Sequence, residues 1–131
     1  MERKALLKRL PALLVAGGIW ILSSRSTLPR PKGILGFDKL QHFLAYLVLA
    51  LTLGLWFSRE SWQRPWRKRC PWAALITFLL AAAYGIIDEV HQSFVPGRNC
   101  SLRDWFADVA GAALGVAALA LSAALSSRRS P

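Results

Sequence analysis

The chain has 131 residues, 54% hydrophobic and 18% charged, and a formal net charge of +10. At this length we expect one domain, residues 1–131, and the apolar composition argues against a soluble protein. Basic residues between membrane spans explain the positive charge better than nucleic-acid binding does, so we expect no nucleic-acid partner.

Four apolar stretches follow one another along the chain, at residues 5–24, 40–57, 72–87 and 105–125. Each approaches the roughly 17–25 residues that a helix needs to cross the hydrocarbon core of a bilayer. The first could also be a cleaved signal peptide, but the segment ILSSRSTLPR after its core lacks a clear small-x-small cleavage site. The sequence therefore predicts an all-α fold: a polytopic membrane protein with four transmembrane helices in a compact bundle.

The basic residues are divided unequally between the two sides that these spans would define. Eleven lie near the start of the first span, between spans two and three or after the last, and six lie in the other two loops. The positive-inside rule then places both termini, and the loop SRESWQRPWRKRCPW, in the cytoplasm. We expect a multi-pass protein of the cell membrane whose main partner is the lipid bilayer. Cys70 and Cys100 would lie on opposite sides and could not pair.

Nearly all of the acidic residues fall on the predicted extracytoplasmic side. Only Glu2 and Glu60 fall on the cytoplasmic side, among basic residues. Asp108 would lie a full turn inside the fourth helix, where an ionisable group is costly and usually faces a partner or a watery cavity. The residues gathered on the extracytoplasmic side are Asp38, Asp88, Glu89, Asp104 and Asp108, together with both histidines, His42 and His91.

Three of the predicted helices carry a polar stripe at this same end, because residues four apart share one face of a helix. We therefore expect a polar site between helices two, three and four. His91 faces away from the stripe of its own helix, and we interpret it as a residue at headgroup level. Gly111 and Gly115 predict close helix packing. The stripes are Asp38, His42 and Tyr46; Tyr84, Asp88 and Gln92; and Asp104, Asp108, Gly111 and Gly115.

The segment FVPGRNCSLRD joins helices three and four. Pro96 and Gly97 suit the central positions of a type II turn. Ser101, three residues before Asp104, has the spacing of an N-cap arrangement that would start helix four.

Counter-charges for the acids are few. Arg98 follows the turn and could either pair with Asp104 or Asp108 or hold an anionic ligand. Of these two alternatives, we expect ligand contact. Lys39 and Arg103 share no helical face with the acidic stripes, so we expect both to point toward lipid headgroups.

Two segments, FDKLQHFLAYLVLAL and YGIIDEVHQSFVPGRNCSLRDWFADVAGAALG, resemble the VanZ-like family. Its members commonly carry asparagine where this chain has Asp108, which adds a potential negative charge here. The resemblance implies a small multi-span protein of the bacterial cell membrane, in a family whose founding member is associated with low-level resistance to the glycopeptide teicoplanin. The matching positions are Asp38, Lys39, His42, Phe43 and Tyr46; Asp88, Glu89, Gln92, Phe94, Pro96, Gly97 and Arg98; and Ser101, Asp104, Gly111 and Gly115.

Three functions are compatible with these residues, and whether the protein is an enzyme remains open. An enzyme acting on an envelope lipid or antibiotic would use Glu89 or Asp88, with His42, as general base. A non-catalytic binding protein would use Arg98 to hold an anionic lipid headgroup, a lipid-linked envelope precursor or a glycopeptide. The predicted site residues are Asp38, His42, Asp88, Glu89, Gln92, Arg98 and Asp104.

The third function is a metal-assisted hydrolase or transferase at the same site. Carboxylate oxygens and one imidazole are suitable ligands for a divalent cation. The sequence identifies neither a cofactor nor a definite metal set. The candidate ligands are Asp38, His42, Asp88, Glu89 and Asp104.

Overall fold

The computed structural model describes residues 2–27, 36–57 and 72–127. These ranges contain four helices and no strand, so the all-α prediction is confirmed for them. Residues 58–71, which include most of the predicted basic loop and Cys70, lie outside the described residues, as do 28–35 and 128–131. The helices are α1 (Glu2–Ser23), α2 (Phe37–Gly54), α3 (Trp72–Ser93) and α4 (Leu102–Ser127).

Successive helices run in opposite directions, so α1 and α3 end where α2 and α4 begin. At this end, which we call the polar end, Ser23 of α1 donates a hydrogen bond to Asp88 of α3. At the opposite end, the guanidinium of Arg9 lies 6.0 Å from the ring centroid of Trp56, which follows α2. The start of α1 and the last turns of α4 border one groove at that end. The described N-terminal and C-terminal segments therefore lie together, away from the polar end.

Glycines allow α4 to lie directly against α2. A Cβ atom added to Gly111 would overlap the backbone carbonyl oxygen of Phe43. One added to Gly115 would lie 2.9 Å from both the Cβ of Ala50 and the carbonyl oxygen of Leu47. The predicted packing role of the two glycines is confirmed, and this contact fixes the spacing of the two helices that carry most of the site.

The distribution of polar and apolar side chains is the reverse of that in a soluble protein. Asp88 and Asp108 are buried, at 1% and 0% exposure, whereas large apolar side chains such as Leu14, Phe94 and Phe106 lie on the outside. Large apolar side chains exposed in such number normally mark a surface in contact with membrane or partner. The interior combines small residues such as Ala50 and Ala112 with larger apolar side chains such as Leu49 and with the buried acids.

Two of the four helices, α3 and α4, are long and apolar enough to cross a membrane, which indicates membrane association. Of the other two helices, α1 carries Lys8 and Arg9 near its start, and α2 begins with Asp38 and Lys39. The prediction of membrane spans is therefore supported for α3 and α4 and not clearly for all four helices.

Candidate functional site

Lys39 joins the first turns of α2 and α4. Its ammonium nitrogen lies 3.0 Å from Asp38 Oδ2 and 3.0 Å from Asp104 Oδ1. The hydrogen bond to Asp104, followed by that to Asp38, raises the pKa of Lys39, and the hydrogen bond from Lys39 lowers the pKa of Asp38. The expectation that Lys39 points toward headgroups was wrong, because its long stem reaches across to the neighbouring helix. Arg103 is exposed.

His42, which is partly buried, and Asp108, which is fully buried, form a pair between α2 and α4. The distance between His42 Nδ1 and Asp108 Oδ1 is 2.9 Å, and Asp108 Oδ2 has no hydrogen-bond partner. Asp108 was not among the predicted site residues, although its depth and the face it shares with Asp104 were signals that it belonged there. An imidazole held by a carboxylate has its orientation and tautomer determined by that contact.

Glu89 of α3 reaches the start of α4. It is 4% exposed, and its Oε2 accepts a 2.6 Å hydrogen bond from the backbone N–H of Ser101. Its other oxygen, Oε1, lies 4.0 Å from His42 Nδ1 and has no hydrogen-bond partner. One carboxylate oxygen is therefore used to anchor α4, and the other remains available beside the imidazole.

The start of α4 agrees with the predicted helix start at Ser101, but the Ser101 N–H binds a carboxylate from another helix. The helix does begin after Ser101, at Leu102. In a capping box the Asp104 carboxylate would accept the N–H of Ser101. Here Glu89 accepts that N–H, and Asp104 binds Lys39 instead. The Ser101 N–H is therefore bound by Glu89 of α3, and Asp104 is available to bind Lys39 of α2.

Asp88 lies against the end of α1. Its Oδ2 accepts hydrogen bonds from Ser23 Oγ at 3.0 Å and from Gln92 Nε2 at 2.9 Å. Its Oδ1 is buried without a hydrogen-bond partner. Sequence reasoning did not include Ser23, because nothing in its local pattern distinguishes it from other serines near a helix end. Gln92, a predicted site residue, orients Asp88 from one turn further along α3.

A cavity of about 260 Å³ opens at the polar end between α1, α2 and α3. Asp38, His42, Asp88 and Arg98 line it, whereas Glu89 and Asp104 do not. Its apolar wall is formed by α1 and α2. The other lining residues are Ile19, Leu22, Ser23, Phe37, Gln41, Ala45 and Tyr46.

Arg98 is held at this cavity by the turn between α3 and α4. Its backbone N–H donates to the carbonyl of Val95 at 3.0 Å, and Gly97 has a φ of 82°, which confirms the predicted type II turn. Arg98 is half-buried, its Nε has no hydrogen-bond partner, and it makes no ion pair with a described carboxylate. The alternative that it pairs with Asp104 or Asp108 is wrong, because Lys39 and His42 hold those two acids.

The predicted residues therefore form two adjoining groups that share His42. Asp38, His42, Asp88 and Arg98 face the cavity, with Gln92 behind Asp88. In the other group, one metal-binding atom each from His42, Glu89 and Asp104 lie within 4.8 Å of one another.

His91 contacts the end of α1 rather than the residues of the site. Its ring stacks on Trp20 with centroids 3.8 Å apart, and its Nε2 lies 2.9 Å from Ser24 Oγ. These contacts pack the end of α1 against α3. His91 lies outside both groups.

Comparison with known proteins gives one result. A family model described as VanZ/LLP1 matches residues 6–123, which contain every residue of the two groups. No curated protein and no solved structure gives a significant match.

Proposed function

We propose a function for this chain, which belongs to the VanZ/LLP1 family: it binds the headgroup of an anionic cell-envelope lipid in the cavity at its polar end. In this proposal the protein crosses the cell membrane with all four helices. Both termini lie in the cytoplasm and the polar end faces the opposite side.

The main support for the proposal is a buried hydrogen-bond donor of Arg98 that has no partner. Its side chain borders the cavity, and Nε is buried without a hydrogen-bond partner. A buried donor without a partner costs free energy, so we expect a ligand in the cavity to supply a hydrogen-bond acceptor for this group. A guanidinium has a planar set of donors that matches phosphate or carboxylate oxygens.

The shape of the cavity favours a lipid over a whole antibiotic. Ile19, Leu22 and Phe37 offer an apolar wall beside the polar groups, as an acyl chain and its headgroup would require. The volume of about 260 Å³ is below the roughly 300–1,000 Å³ of pockets that enclose drug-sized ligands. A lipid-linked envelope precursor has a headgroup of the right charge. A link to teicoplanin resistance would then be indirect, through the envelope lipid rather than through capture of the glycopeptide.

A second candidate is a hydrolase or transferase that acts on the bound headgroup. The His42–Asp108 pair favours it, since a histidine oriented by a carboxylate is a common general base. Asp88 is less suited to that role, because Ser23 and Gln92 both donate to its Oδ2.

The lipid that accompanies the protein from native membrane tests the proposal. We expect mass spectrometry of the purified protein to find one anionic lipid enriched over its abundance in the same membrane. Recovery of that lipid unchanged after incubation supports a binding protein, and conversion of its headgroup supports an enzyme. Co-purified lipids in the proportions of the bulk membrane would contradict both.

The proposed orientation is tested with the two cysteines of the chain. Cys100 is free and exposed near the polar end, so an impermeant thiol reagent should label it in intact cells. Cys70 follows a run of basic residues in the sequence and should stay unlabelled until the membrane is permeabilised. Single-cysteine variants separate the two signals. Labelling of Cys70 from outside, with Cys100 protected, would reverse the topology.

A further inference from the structure

Three side chains bring metal-binding atoms together beside the cavity. His42 comes from α2, Glu89 from α3 and Asp104 from α4, and one donor atom of each lies within 4.8 Å of the other two. The ligand atoms of a single ion must lie within a few ångströms of one another, and these three atoms meet that condition. The residues are 62 positions apart at most, and only the bundle brings them together.

Each of the three side chains is held in place by a contact with another residue. Glu89 Oε2 accepts from Ser101, and Asp104 Oδ1 accepts from Lys39. His42 Nδ1 contacts Asp108. Glu89 Oε1, the second oxygen of that carboxylate, is buried and makes no hydrogen bond. Ligands held in this way by a second contact are pre-oriented for an ion.

An independent observation points to a missing ligand. Glu89 is 4% exposed and its Oε1 has no partner, although this oxygen is only 4.0 Å from the imidazole. Asp108 is fully buried, and its Oδ2 also lacks a partner. Buried carboxylates are normally paired or bound to a metal. Lys39 is the single cation of the described residues in direct contact with this group, and it contacts only Asp104 and Asp38.

From these observations we infer that His42, Glu89 and Asp104 bind a divalent transition-metal ion, Zn²⁺ or Mn²⁺. One imidazole nitrogen with carboxylate oxygens suits these ions, whereas Ca²⁺ and Mg²⁺ favour sets made of oxygen alone. Asp108, whose Oδ1 lies 2.9 Å from His42 Nδ1, would hold the imidazole in place, as carboxylates behind a metal-bound histidine commonly do.

The inference is independent of the lipid proposal, because Arg98 is not a ligand of the ion. It also places the ion outside the cavity, since Glu89 and Asp104 do not line it. The two proposals can therefore be tested separately. Metal binding without lipid binding would contradict only the lipid proposal, and lipid binding without metal binding would contradict only the metal site.

Calorimetric titration of the whole protein in detergent, after removal of metal with EDTA, provides the test. We expect Zn²⁺ or Mn²⁺ to bind once per chain. Glu89→Gln keeps the acceptor for the Ser101 N–H and removes the charge, and it should weaken binding by at least about tenfold. The matched control is Glu60→Gln, the same substitution in the predicted loop at the other end, which should bind as the wild type does.

A second measurement needs no variant. Co²⁺ added to the EDTA-treated wild type should give visible absorption bands distinct from those of aqueous Co²⁺, and Zn²⁺ should abolish them. Absence of one-to-one binding, or equal affinity in Glu89→Gln, would overturn the site. Preference for Ca²⁺ or Mg²⁺ would overturn the assignment of His42 as a ligand.

Discussion

Replacing Gly111 by alanine is expected to destabilise the protein by about 1–3 kcal/mol, as overpacking of a close contact typically does. The added methyl group would overlap the carbonyl oxygen of Phe43, which is backbone and cannot rotate away. The helices α2 and α4 would have to separate. Since Lys39–Asp104 and His42–Asp108 both join these helices, the polar site would be disrupted as well. The thermal unfolding midpoint in detergent measures the first effect.

Gly17→Ala is the matched control for this substitution. Gly17 also lies within a helix, and a Cβ atom there would have nothing within 4 Å. Alanine is the better helix former by roughly 1 kcal/mol, so this variant should be as stable as the wild type or more so. If Gly111→Ala unfolded at the same temperature as Gly17→Ala, the contact between α2 and α4 would not be as close as the structure has it.

Replacing Arg98 by lysine is expected to weaken lipid binding while leaving the protein folded. Lysine keeps the positive charge and loses the planar pair of donors. A hydrogen bond to a charged group contributes about 1.5–3 kcal/mol, so the loss of one corresponds to roughly 10–100-fold in affinity. The stability of the fold should change little, because Arg98 forms no ion pair with a described carboxylate. Lipid retained per protein and the unfolding midpoint are measured on the same preparation.

Arg103→Lys provides the comparison for Arg98→Lys. Arg103 is exposed and follows Arg98 by five positions, outside the cavity lining. The same exchange there should leave both the retained lipid and the unfolding midpoint unchanged. Full lipid retention in Arg98→Lys would refute the role of the guanidinium. A large loss of stability in that variant would mean that Arg98 supports the fold after all.

Local spacing was sufficient to predict the helices and the faces that carry the site. The four-residue spacing of Asp38 and His42, and of Asp104 and Asp108, depends only on the geometry of a single helix. The same is true of the turn at Pro96 and Gly97, because the positive φ of Gly97 is a local requirement. These features could be predicted because each is determined by residues adjacent in the chain.

The partners of the polar groups were decided by the tertiary structure alone. Lys39 lies off the acidic face of its own helix, yet it reaches Asp104, 65 positions away, because α4 packs closely on α2. Glu89, rather than Asp104, accepts the Ser101 N–H for the same kind of reason, since α3 places a carboxylate at the start of α4. Helix rotation and separation determine which side chains meet. They follow from packing between distant segments, whereas helical periodicity describes each segment by itself.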